Sequence, residues 1–170
     1  MSRKNMIRKT ALAGILIAVA VVGSLFSFPI LGSRCAPVQH LVNIVASVFL
    51  GPWYSLAIAF ITSIIRVATG LGSPLAFPGS MFGALLSGLL YKFFKKIPFA
   101  VGGEVIGTSI LGGLCAYPIA ILVMGKSSGE IAFYAYIVPF LISTAGGAVI
   151  ASVLLFALHK AGIIRKFKGE

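Results

Sequence analysis

The chain has 170 residues, of which 59% are hydrophobic and only 10% charged, with a mean hydropathy of +1.08. A soluble domain carries roughly 25% charged residues, so this composition points to membrane-spanning helices. Strands of a membrane barrel are excluded as well, because the apolar runs are long and do not alternate with polar residues.

The net charge of +11 does not mark a nucleic-acid binder. The basic residues form short clusters between apolar runs, the pattern of topology signals at a cytoplasmic membrane face. The only acids are Glu104, Glu130 and Glu170, and Asp is absent. That argues against Asp-dependent metal or phosphotransfer chemistry and against Asp-based proton relays. Cys35 and Cys115 have neither metal-ligand spacing nor a CxxC arrangement, so no metal site is expected.

The hydropathy pattern predicts an all-α integral membrane protein of one domain over residues 1–170, with six transmembrane helices at about 10–27, 38–50, 53–69, 79–94, 98–124 and 131–158. Arg3, Lys4, Arg8 and Lys9 precede the first helix, which has the look of a signal peptide but is read as a span because the rest of the chain is equally apolar. On that helix Gly14 and Ala18 are four apart, a small-residue spacing that suits either internal packing or a partner helix.

The stretch from Phe28 to Asn43, FPILGSRCAPVQHLVN, then breaks the oily pattern on the expected outer side. Gly51-Pro52 marks a turn, and Arg66 falls near the outer end of helix 3. Residues 70–78 form a second Gly/Pro-rich outer segment, which needs protein or water around its backbone. Helix 4 opens with Gly79 and Gly83, a GxxxG pair that predicts close packing. Residues 125–130 form a short outer loop. All but three of the 14 Lys and Arg residues fall on the assigned inner side, which places both termini in the cytoplasm.

Polar groups at a helix mouth are costly unless they face water, protein or a ligand. Gln39 and Asn43 share one helix face with His40 beside it, and the three supply paired donors and acceptors suited to a small heterocycle, or else an interfacial cap. Arg66 is read as a snorkelling cation, a clamp on loop carbonyls or a ligand contact. Glu104 and Thr108 begin a polar stripe on helix 5; Glu104 is the only acid within a span, and ligand binding, helix packing and interfacial exposure near the inner end all remain open for it. Tyr117 and Tyr136 belong to either an interfacial aromatic belt or a stacking wall, and Pro118 is expected to break helix 5 locally. Ser143 and Thr144 either back the pocket or pack. Gly125-Lys126-Ser127 imitates the end of a P-loop, but the required glycine five residues earlier is Ala120, so no nucleotide site is expected.

Two blocks, FPILGSRCAPVQHLVNIVASVFLGPWY and RVATGLGSPLAFPGSMFGALLSGLLY, resemble the ThiW family, and the six-helix pattern resembles the S component of an energy-coupling-factor (ECF) transporter. The resemblance covers nearly the whole chain. It implies an S-component-like bundle in a prokaryotic cytoplasmic membrane that is not an enzyme and uses no cofactor. It implies a thiamine precursor as ligand, foremost the thiazole moiety, hydroxyethylthiazole, with the pyrimidine precursor, thiamine or a stand-alone transporter as alternatives. The implied partners are a transmembrane coupling protein of the EcfT type and two cytosolic ATPases of the EcfA type, docking near Gly14 and Ala18. The ligand set is expected among Gln39, His40, Asn43, Arg66, Thr108, Tyr117 and Tyr136, under a lid held by Arg34, Pro29, Pro37 and Pro78.

Overall fold

The computed structural model describes residues 3–30, 33–127, 129 and 131–168. Leu31, Gly32, Ser128 and Glu130 lie outside the described residues, and with them part of the expected 125–130 loop. The helices are α1 (Arg3–Gly23), α2 (Pro37–Leu50), α3 (Pro52–Ala68), α4 (Ala76–Phe94), α5 (Ile97–Leu122), α6 (Ile137–Lys160) and a short α7 (Ile163–Lys168). Two short strands, β1 (Phe28–Ile30) and β2 (Ser33–Cys35), pair antiparallel between α1 and α2, with Pro29 opposite Arg34. The chain is therefore a helical membrane protein that also carries a β-hairpin, which the helical periodicity did not reveal. Three residues per strand are too few for an alternation pattern to stand out.

Among the described residues three helices, α1 with the 3₁₀ turn that follows it (Arg3–Phe26), α5 and α6, are long and apolar enough to cross a membrane. α2 has 14 residues and spans about 21 Å at 1.5 Å per residue, less than a hydrocarbon core of about 30 Å. α6 starts at Ile137, and residues 131–136 form turns, so the helix expected from 131 loses its first turn and a half. α1 begins at Arg3 and takes in the basic N-terminal residues, while Ser24–Phe26 tightens into 3₁₀ geometry before the hairpin.

Proline and glycine set the boundaries. Pro37 and Pro52 open α2 and α3, where a missing N–H costs nothing. Gly51 holds φ +87° in the corner between them, a conformation that favours glycine. α4 and α5 meet backbone to backbone along a glycine seam: a Cβ at Gly107 would lie 2.6 Å from the Phe82 carbonyl oxygen, and one at Gly112 would lie 2.7 Å from Gly79 Cα. The small-residue spacing on helix 4 is realised here, because close backbone approach is what drives helix association in lipid. Pro118 does not break α5, which continues to Leu122; the irregularity is a π-helical turn at Gly107–Gly112.

Polarity is distributed inside out. Gln39, Asn43, Ser55, Thr62, Arg66 and Glu104 are buried, while Ile106, Val149, Val153 and Phe156 face outward. A soluble protein does the reverse. Lipid accepts the apolar exterior, and the interior pairs several of the polar groups with one another.

Candidate ligand site between the hairpin and the helix ends

Glu104 is the node of the buried network, with 0% of its surface exposed. Its Oε1 accepts from Asn43 Nδ2 at 2.9 Å and from the Thr108 hydroxyl at 3.2 Å, and lies 2.9 Å from His40 Nδ1. Asn43 Nδ2 also donates to the Ser80 carbonyl at 3.2 Å. On its other side His40 places Nε2 3.1 Å from Ser143 Oγ, which accepts from the Ala36 N–H at 2.9 Å. The Ser143 hydroxyl has a second lone pair and a rotating proton, so these contacts fit either neutral tautomer of His40. α2, α5 and α6 are thereby tied together through side chains 64 and 103 residues apart in sequence.

The network is possible because the helices come close. At Gly83 a Cβ would fall 2.1 Å from Thr108 Oγ1 and 2.8 Å from the Glu104 carboxyl, so only glycine leaves room for this part of α5 against α4. The π turn starts at Gly107 and carries Thr108 within it. Gly147 does the same for α6 against α2, where a Cβ would meet the Pro37 carbonyl oxygen at 2.4 Å.

Above the network lies a cavity roofed by the hairpin and by the segment joining α3 to α4. Gln39, His40, Arg66, Thr108 and Ser143 line it with Leu75 and Phe140 as its apolar wall. Arg66 Nη1 donates to Gln39 Oε1. That leaves two buried donors on residues that line the cavity, Gln39 Nε2 and Arg66 Nε, without a partner among the described residues. Buried donors normally have acceptors, so these two mark a place for one. The segment after α3 folds back over Arg66, with the Gly72 N–H donating to the Arg66 carbonyl at 2.9 Å. Arg34 Nη1 donates to the Gly70 carbonyl at 3.0 Å and straps the hairpin to this segment. The cavity is small, with a volume of about 30 Å³. That holds a water but not a heterocycle, so the cavity has to widen to take a ring.

The structure gathers Gln39, His40, Arg66 and Thr108 around the cavity with Arg34 at its edge, and puts Asn43 one layer behind them. Tyr117 is half-buried on α5 away from the lining. Tyr136 is buried at the start of α6, packed on Phe140 with ring centroids 6.2 Å apart. Pro29 is exposed on β1, Pro37 starts α2, and Pro78 is buried within α4; none of the three lines the cavity. Leu75 and Phe140 were missed by sequence reasoning, since nothing local separates them from the many other large apolar residues. Glu104 sits in the middle of the network rather than at an interface. Cys35 and Cys115 are both free thiols. Cys35 is buried and donates to the Pro139 carbonyl at 3.3 Å; burial pushes its pKa up, against the opposing pull of Ser143.

The chain matches the family model for ThiW, the thiamine-precursor transporter protein, over residues 10–161. The chain belongs to the ThiW family. The match takes in the hairpin, the cavity and the buried network of this ThiW-family protein, together with all of α2 to α6. No curated protein shows significant similarity to the chain. Membership of the ThiW family makes it a transporter for a thiamine precursor, a multi-pass membrane protein whose cargo is a small molecule.

Proposed function

We propose that this chain is the substrate-binding S component of an ECF-type importer and that its ligand is the thiazole moiety of thiamine, hydroxyethylthiazole. The observation that carries this reading is the pair of unmatched donors, Gln39 Nε2 and Arg66 Nε, on residues lining a buried cavity. A thiazole brings two acceptors, its ring nitrogen and its hydroxyl oxygen, and an apolar ring for Leu75 and Phe140. Thiamine fits less well. Its thiazolium is a permanent cation, and both Arg34 and Arg66 line the cavity, so a cationic ligand is repelled. An aminopyrimidine fits less well for another reason: its amino group adds donors where acceptors are wanted.

In this reading six spans cross a prokaryotic cytoplasmic membrane with both termini inside, and the hairpin end faces out. Arg34 and its bond to Gly70 serve as a lid latch. Gly14 and Ala18 are exposed on α1, and a Cβ at Gly14 would meet nothing within 4 Å. That open, small-residue face suits the close approach of a transmembrane coupling protein, with two cytosolic ATPases behind it.

Calorimetry on the purified protein tests the ligand. Hydroxyethylthiazole should bind with higher affinity than the pyrimidine precursor or thiamine. Arg34 and Arg66 also suit an ester phosphate, so the phosphorylated thiazole belongs in the same titration. Binding of none of these sinks the ligand assignment. Uptake into liposomes holding this chain alone would instead sink the dependence on a coupling module.

A further inference from the structure

A second cavity, of about 330 Å³, lies at the end of the bundle opposite the hairpin. Its walls are the first turns of α1, the Gly51-Pro52 corner, the last turn of α4, and Phe167 of α7. Arg8, Lys9, Lys92 and Lys95 all line it. None of the four has a carboxylate partner among the described residues, where the single acid is Glu104, buried in the network of the first cavity. Basic residues near a membrane face ordinarily spread along it. Here four cations from two helices distant in sequence converge on one concavity.

Two details bear on how Lys95 and Arg8 reach the cavity. Lys95 adopts φ +56°, the left-handed conformation that glycine occupies without cost, and its N–H closes α4 by donating to the Tyr91 carbonyl at 2.8 Å. A lysine at this position accepts strain and brings its charge to the rim of the cavity. Arg8 lies with its guanidinium 5.0 Å above the Phe167 ring, which orients it at the opposite wall. α3 starts at this cavity while α2 and α4 end there, so their helix dipoles oppose one another and the field comes from the four side-chain cations.

We propose that this cavity is an anion site for a phosphate group, carried by an acidic phospholipid headgroup or by a free phosphate compound. A phosphate supplies the acceptor oxygens and the negative charge that no described residue gives the four cations. The site is separate from the precursor cavity and does not depend on the ligand proposed there.

The full chain in lipid nanodiscs tests this by thermal unfolding at constant ionic strength. Three preparations are compared: phosphatidylcholine alone, phosphatidylcholine with phosphatidylglycerol, and phosphatidylcholine with added inorganic phosphate. An anion held here should raise Tm by roughly 2–4 °C, the range for a chain of this size. The Lys92→Gln/Lys95→Gly pair should abolish the rise; glycine at position 95 relieves the left-handed strain, so this variant stays folded. The control pair Lys160→Gln/Lys166→Gln removes two charges from the same end, outside the cavity, and should keep the rise. A rise with phosphatidylglycerol alone identifies a lipid headgroup, and a rise with inorganic phosphate identifies a soluble ligand; each supports the site. No rise in either preparation, or an equal loss in the control pair, overturns it and reduces the cations to diffuse surface charge.

Discussion

Replacing Glu104 separates a buried structural node from a mere polar neighbour. Its Oε1 is the acceptor shared by Asn43 at 2.9 Å and Thr108 at 3.2 Å, with His40 at 2.9 Å. Glu104→Ala removes that acceptor. The Thr108 hydroxyl can turn back to a carbonyl of its own helix, but His40 and Asn43 are left with buried, unmatched groups. At about 1–3 kcal/mol for each of the two orphaned groups, the loss comes to roughly 2–6 kcal/mol. Glu104→Gln keeps a carbonyl oxygen in place as acceptor for Asn43 and Thr108, so its loss should be smaller, roughly 1–2 kcal/mol. The assay is reversible unfolding of both variants in one detergent, with hydroxyethylthiazole titrations on the folded proteins. Glu104→Gln should bind within about tenfold of the parent, a change of about 1.4 kcal/mol, because His40 keeps its orientation. Glu104→Ala should lose more than that. If Ala costs no more than Gln in either measurement, the carboxyl does not organise the site and the reasoning fails.

Asn43→Ala removes the donor to Glu104 and to the Ser80 carbonyl, so it should cost about 1–3 kcal/mol and weaken precursor binding in calorimetry; unchanged affinity would show that this layer does not shape the cavity. Arg34→Ala cuts an exposed bond and should change stability by less than about 1 kcal/mol, while stopped-flow measurements show faster ligand release. An unaltered release rate would rule out the latch. Gly88→Ala puts a Cβ 2.4 Å from Pro52 Cα, backbone that cannot step aside, so thermal unfolding should show a loss of about 1–3 kcal/mol with precursor affinity retained. An unshifted Tm would contradict the packing of α3 against α4.

Much of the site was legible one residue at a time. Gln39, His40, Arg66 and Thr108 stand out because polar side chains in an apolar run need a partner, and all four line the cavity. The aromatic residues were not separable in this way. Tyr117 and Phe140 have the same character in sequence, yet Phe140 lines the cavity and Tyr117 does not. Which face an aromatic presents depends on helix rotation, and α5 and α6 are apolar on every side. The hairpin was hidden because Phe28–Ile30 and Ser33–Cys35 are each too short to carry a period.

By itself the sequence determined the membrane character, the corners at proline and glycine, the close packing of helix 4 and the family. Each is a local property: transfer free energy summed along a run, a restricted φ, a missing Cβ. Only the tertiary structure decided that Glu104 meets His40 and Asn43, that Ser143 closes the far side of the network, and that Arg8 and Lys95 line one cavity. Those contacts join residues tens of positions apart. They exist because glycine seams bring α4 against α5 and α6 against α2 closely enough for buried polar groups to satisfy one another where no water is at hand.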